Sequence, residues 1–103
     1  MSPNYNISSD IDQIFWLYHE NMSWCLYLLE CSDGSYYAGI TNNLGNRIKA
    51  HNEGLGAKYT RGRSPVTLLA QKTYPNRSEA SKAEGAIKKL NRSQKLGFFL
   101  ELT

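Results

Sequence analysis

No lysine or arginine occurs in the first 46 residues of this 103-residue chain, although twelve follow. Three acids and no base give residues 1–22 a charge of −3, and twelve bases against six acids give residues 23–103 a charge of +6. A start without basic residues lacks the charged opening of a secretory signal. No uninterrupted apolar run approaches the ~20 residues that a membrane-spanning helix requires. Cysteine is scarce as well, being confined to Cys25 and Cys31. Both fall in one predicted strand, where a rise of ~3.3 Å per residue sets them about 20 Å apart, and a disulfide needs roughly 6 Å between α-carbons. With no CxxC spacing either, they are expected to be buried free thiols of a reducing compartment. These absences together lead us to expect a soluble, cytoplasmic protein with no membrane contact.

A chain of this length has room for one domain, since two separate cores would each be marginal. Residues 1–22 mix turn formers with one apolar cluster, Ile14 to Tyr18, and are expected to be an extension, either mobile or holding a short helix capped by Ser9. Residues 23–103 read as the self-sufficient domain. Its charge of +6 suits a polyanionic partner, because Lys and Arg facing phosphates release condensed counterions. A solvated basic surface accounts for the same charge.

From Trp24 the chain reads as a strand to residue 31, a turn, a strand over 35–41, and a helix over about 43–53 capped by Asn42 or Asn43. A Gly-rich basic loop, EGLGAKYTRGRSP, leads into the apolar strand VTLLAQKTY at 66–74. Ser78 is the expected cap of a helix reaching about residue 91, with Glu79 in its first turn. Ser93 is the expected cap of a last helix carrying Leu96, Phe99 and Leu100. The predicted fold is α+β, a small three-stranded antiparallel sheet flanked by helices in the order β-β-α-β-α-α.

On the helix 43–53, Leu44, Ile48, His51 and Arg47 fall at about 0°, 40°, 340° and 300°. Arg47 and His51 therefore border the apolar stripe and can both reach the end of a neighbouring sheet. An Arg that snorkels over the core and a His bonded to backbone would leave the same pattern. Glu84 borders the stripe Ala80, Ala83, Ile87 and Leu90 of the next helix, beside Gly85. A helix-interior glycine costs roughly 1 kcal/mol relative to alanine, which suggests that something needs space there. Glu84 and Lys88 also have the spacing of an ordinary surface ion pair. In the loop, Lys58, Arg61 and Arg63 surround Tyr59, an arrangement suited to phosphate contact with base stacking or to a solvated connector.

CLY at 25–27, YAG at 37–39, Arg47 with His51 on one helix and Glu84 on a later one resemble the GIY-YIG nuclease domain in its small single-domain branch. The segment AHNEGLGAKYTRGRSP is particularly similar to that branch, and the resemblance covers about residues 23–100. It departs at Cys25, Leu26 and Ala38, which stand in place of Gly, Ile and Ile. It departs again where relatives carry a polar residue after the metal carboxylate, because Asn91 comes early and Leu96 sits near the expected place. The resemblance implies a metal-dependent endonuclease acting on DNA rather than RNA, directed to a structure or lesion in repair or recombination. Tyr27, Tyr37, Arg47 and His51 are then the catalytic residues, Glu84 the ligand of Mg²⁺ or Mn²⁺, and Lys58, Tyr59, Arg61 and Arg63 the nucleic-acid contacts. Arg47 would offer its fork to the scissile phosphate and Tyr37 would orient the water or the phosphate. Tyr27 or His51 would take the water's proton, a role that requires the Tyr27 pKa to be lowered from about 10 by neighbouring cations.

Two other functions are compatible with the residues. A non-catalytic nucleic-acid-binding module would use the basic loop and have no need of Glu84, and a protein-interaction domain would present Phe15 and Trp16. In either nucleic-acid reading, a domain this small is expected to show weak base specificity.

The hairpin CLYLLECSDGSYYAG separates the possibilities by register. A two-residue Asp33-Gly34 turn would place Tyr27 and Tyr37 on opposite faces of the sheet. A three-residue Ser32-Asp33-Gly34 loop with left-handed Gly34 would place them on one face. The nuclease reading requires the longer loop.

Overall fold

The computed structural model describes residues 23–100; the expected extension, with its Ser9-capped helix, lies outside the described residues. Strand β1 (Trp24–Glu30) is central in a three-stranded sheet, antiparallel to both β2 (Tyr36–Thr41) and β3 (Thr67–Tyr74). Helix α1 (Leu44–Asn52) follows β2, a 3₁₀ turn at Lys58–Thr60 lies in the loop before β3, and α2 (Arg77–Lys88) and α3 (Arg92–Leu100) complete the chain. The predicted β-β-α-β-α-α order is the order found. No helix among the described residues is long and apolar enough to cross a membrane.

The hairpin adopts the longer loop. Leu29 pairs with Tyr37 and Tyr27 with Gly39, while Cys31 N–H donates to Ser35 O at 2.8 Å and Gly34 N–H to Cys31 O at 2.9 Å. Gly34 supplies the positive φ of +84° that this turn needs and that a Cβ opposes. Asp33 stiffens the loop by accepting from the Ser35 backbone and hydroxyl at 3.0 and 2.6 Å. Because the side-chain period of a strand is two, this register puts Tyr27, Leu29 and Tyr37 on one face and Leu26, Leu28 and Ala38 on the other.

Each face has its own core. Leu26, Leu28 and Ala38 pack with Ile87 of α2 and Phe99 of α3, and Tyr27, Leu29, Cys31 and Val66 pack beneath Leu44 and Ile48 of α1. The run LYLL is buried throughout, as a strand covered on both faces demands, and each leucine contributes about 1.5–3 kcal/mol. A bulge opposite Leu28 and Leu29 shifts the register of β3. The extra residue lets Leu68 join the Tyr27 face while Leu69 and Ala70 face α2 and α3.

The caps differ in part from expectation. Asn43 caps α1 by accepting from Asn46 N–H at 3.2 Å, one of the two expected residues. Asn76, not Ser78, caps α2 by accepting from Glu79 N–H at 2.9 Å. Asn91, not Ser93, caps α3: its side chain accepts from Gln94 N–H at 3.0 Å, and Gln94 reaches back to Asn91 N–H at 3.1 Å. Serine and asparagine are comparable caps, so residue type could not choose between neighbours, and the strand and helix packing on either side did. Gly85 is a further correction: a Cβ there would meet nothing within 4 Å, so crowding is not the reason for this glycine.

Candidate active site

The face formed by odd-numbered residues of β1 and β2 carries the site, and α1 closes over it. Tyr27 is 1% exposed and His51 wholly buried, so His51 sits deeper than its place at the edge of the α1 stripe suggested. The reason is a partner on each ring nitrogen. Tyr27 Oη lies 2.9 Å from His51 Nε2, and Thr60 Oγ1 lies 2.7 Å from Nδ1. A buried imidazole with both nitrogens engaged escapes the penalty of an unmet polar group.

Two glycines make the close packing possible. A Cβ on Gly39 would stand 2.5 Å from Tyr27 Oη, and one on Gly56 would stand close against His51 Nδ1. The last residue of YAG is thus the floor against which the first tyrosine rests.

Around this pair the aromatic rings assemble. Tyr37 lies 6.4 Å from Tyr27 and 5.3 Å from His51 between centroids, in tilted and edge-on contacts. Tyr59, 40% exposed, stacks on Tyr37 at 5.9 Å with 21° between planes, and the Arg63 guanidinium lies 4.1 Å from the Tyr59 ring centroid. Lys88 Nζ approaches the Tyr37 ring at 5.7 Å and pairs with Glu84 Oε2 at 3.1 Å. The ion pair foreseen from spacing therefore exists, and it stands at the rim of the site.

Arg47, half-buried on α1, acts on both Tyr27 and His51 and has no acidic partner within ion-pair distance among the described residues. A guanidinium held beside a buried Tyr–His pair without a carboxylate leaves its charge for an anion. Lys58 and Arg61 are exposed on the loop and likewise form no ion pair among the described residues. Arg63 is different, since its Nε pairs with Asp33 at 3.0 Å and its Nη1 donates to Tyr59 O at 2.6 Å. It pins the loop to the hairpin turn, helped by Ser32 N–H donating to Arg63 O at 2.8 Å.

The proton affinities correct one expectation. Burial pushes the Tyr27 hydroxyl up to about 12, although the Arg47 guanidinium beside it pulls the other way. The hydroxyl is therefore protonated in the resting site, and the lowered pKa that Tyr27 requires to act as the base by itself is not found. Burial, seconded by Arg47, depresses His51 below its ordinary 6.5, so the ring is neutral at pH 7. A neutral imidazole against a protonated phenol can accept that phenol's proton.

Among the described residues no three His, Cys, Asp or Glu side chains come together as a metal cage. The closed four-ligand site of a structural zinc is not what these residues build. A lone carboxylate suits a hard ion such as Mg²⁺, which keeps several waters and takes further oxygens from substrate phosphates. Glu84, 24% exposed at its side chain, fits that donor set.

Sequence reasoning missed Thr60, buried at the end of the 3₁₀ turn, and treated Lys88 as nothing more than an ion-pair partner. Thr60 stands within AKYTRGR, but no period marks it, since a hydroxyl that bonds a residue nine positions away leaves no local signature.

The profile of the GIY-YIG catalytic domain matches residues 23–97. A UPF0213 protein of Xanthomonas axonopodis pv. citri is 56% identical over 75 residues, covering 73% of this chain and 74% of that one. Another, from Halobacterium salinarum, is 50% identical over 74 residues, covering 72% of this chain and 96% of its own. The solution structure of a protein from E. faecalis is similar with a TM-score of 0.57 and 44% identity, over 78% of this chain and 85% of that one.

Proposed function

The chain belongs to the GIY-YIG family, in the small single-domain UPF0213 group, whose domain implies a nuclease acting on nucleic acid, and from that premise we propose a divalent-metal-dependent DNA endonuclease. The observation that carries this reading is the buried Tyr27–His51 hydrogen bond of 2.9 Å with Arg47, which has no acidic partner among the described residues, acting on both groups.

Tyr27 accepts a proton from the attacking water as its own proton passes to His51. The Arg47 fork engages the non-bridging oxygens of the scissile phosphate, where charge must be accommodated in the transition state. Tyr37 orients the water or the phosphate, and Tyr59 offers a stacking surface for a base beside it. Lys58 and Arg61 hold the phosphates on either side. Glu84 would hold Mg²⁺ or Mn²⁺, and the bound ion supplies charge stabilisation at the leaving oxygen. With little surface for reading bases, the enzyme selects a branched, nicked or damaged structure, and we assign it to DNA repair or recombination in the cytoplasm.

The second reading is a binding module that does not cut. It is favoured by the Lys88 ammonium, which already neutralises Glu84 at 3.1 Å. The experiment that separates them incubates the full chain with branched, nicked and single-stranded DNA and RNA, with and without Mg²⁺ or Mn²⁺, beside Glu84→Ala and Arg47→Ala. Metal-dependent cleavage of DNA that both variants lose is the expected result. Salt-sensitive binding without cleavage would establish the module instead, and equal cutting by the Glu84 variant would remove the proposed metal ligand.

A further inference from the structure

Three polar contacts run in a line through the buried centre of the site. Thr60 Oγ1 donates to Ala57 O at 2.9 Å, Thr60 Oγ1 lies 2.7 Å from His51 Nδ1, and His51 Nε2 lies 2.9 Å from Tyr27 Oη. A carbonyl oxygen has no proton to give, so the single hydroxyl proton of Thr60 is committed to Ala57. What Thr60 Oγ1 has left is acceptor capacity, and His51 Nδ1 must then be the donor. A neutral imidazole carries one N–H, so Nε2 is left bare and faces the Tyr27 hydroxyl.

We propose that Thr60 is a positioning residue whose hydroxyl fixes His51 in the Nδ1-protonated tautomer and thereby makes His51 Nε2 the acceptor of the Tyr27 proton. The catalytic meaning of this arrangement rests on the nuclease reading above; the tautomer itself does not. The alternative tautomer would turn a ring lone pair toward Thr60 Oγ1. To satisfy it, the threonine proton would have to leave Ala57 O, setting two oxygen lone pairs against each other at 2.9 Å.

The turn has little freedom to relax. Thr60 and His51 are both wholly buried. Ala57 O also accepts from Thr60 N–H at 3.1 Å, and Arg63 N–H donates to Thr60 O at 3.1 Å. The absence of a Cβ at Gly56 lets the backbone close on the Nδ1 edge of the ring.

The proton path balances. As the water oxygen bonds to phosphorus, its proton moves to Tyr27 Oη and the Tyr27 proton moves to His51 Nε2. The leaving oxygen departs with the electron pair of its broken phosphorus bond and takes a proton from solvent, and the imidazolium then returns its proton to solvent through Tyr27. Thr60 Oγ1 continues to accept Nδ1–H and so stabilises the imidazolium formed. An Nε2–H ring could bond to Tyr27 but could not take its proton. Orientation of a catalytic histidine by a third group is the general logic of such relays.

The test uses the full chain labelled with ¹⁵N in its histidine rings, in a His19→Gln background so that one ring remains. The wild-type ring is expected to carry its proton on Nδ1, with Nε2 bare. Thr60→Ser keeps the hydroxyl and is expected to keep both that pattern and cleavage within a few-fold. Thr60→Val, near in volume, is expected to move the proton to Nε2 in part or wholly and to lower kcat on the order of 10²-fold with KM unchanged. Thr60→Ala gives the same readout if the valine variant does not fold, folding being checked by the backbone amide spectrum. A wild-type ring protonated on Nε2, or an unaltered ring with full kcat in Thr60→Val, overturns the proposal. Wild-type protein with the Nδ1-protonated ring and no cleavage on any substrate overturns the nuclease reading while upholding tautomer control.

Discussion

Replacing Gly39 by alanine tests whether the second glycine-containing triplet exists to seat the first tyrosine. The added Cβ would lie 2.5 Å from Tyr27 Oη and 2.7 Å from its Cζ, so the ring tip must retreat by roughly 1 Å to reach ordinary contact. Tyr27 is 1% exposed and cannot swing into solvent. Overpacking of this kind costs about 1–3 kcal/mol. Drawing Oη away from His51 leaves two buried polar groups short of a partner, a further ~1–3 kcal/mol. A total of at least about 2 kcal/mol lowers Tm by roughly 8–16 °C in a domain of this size. Thermal unfolding followed by circular dichroism reads the shift, and a Tyr27→Phe cycle locates it. Phenylalanine lacks Oη, the nearest atom, so Gly39→Ala should cost less in that background by about 1 kcal/mol or more, beyond the ~0.3–0.5 kcal/mol scatter of independent sites. A Gly39→Ala variant melting within about 4 °C of wild type, or a cycle that is simply additive, would refute the reasoning.

Arg47→Ala should lower kcat by about 10²–10³-fold with folding intact, read in single-turnover cleavage. Lys88→Ala removes the ammonium that Glu84 now holds at 3.1 Å, so half-activation should require less Mn²⁺; an unchanged metal titration would show that Lys88 does not compete for the carboxylate. In salt titrations on duplex DNA, Lys58→Ala and Arg61→Ala should each reduce the slope of log K against log[salt] by about 0.9. Arg63→Ala should change that slope less, because its charge is paired with Asp33, and should instead destabilise the loop. His51 is depressed below 6.5 in the folded state, so the unfolded chain binds its proton first. Stability should therefore be full above pH 6.5 and fall as pH drops below it toward the folded value. Denaturant midpoints measured between pH 7.5 and 5 check this, and His51→Gln, less stable at every pH, should lose that slope.

Much of the fold was legible because local chemistry and global packing agree in it. Ser32-Asp33-Gly34 carries the turn preferences of a three-residue loop, and the requirement that Tyr27 and Tyr37 share a face chose the same register that Cys31 and Ser35 close by hydrogen bonds. The stripes Leu44 with Ile48 and Ala80 with Ile87 place α1 and α2 on opposite faces of the sheet. Helix starts were less legible, as Asn76 and Asn91 show, because several capping residues stand within two positions and the choice follows from where the preceding strand or helix leaves the sheet.

The sequence by itself determined the β-β-α-β-α-α order, the family and the types of residue available for chemistry, since these follow from side-chain period, turn chemistry and motif spacing along the chain. The tertiary structure decided how those residues behave. Only the meeting of β1, α1 and the 3₁₀ turn buries His51 between Tyr27 and Thr60. That burial is the main cause that raises the Tyr27 hydroxyl to about 12 and, seconded by Arg47, lowers His51. Desolvation and hydrogen-bond direction depend on neighbours far apart in the chain, and no pattern of spacing records them.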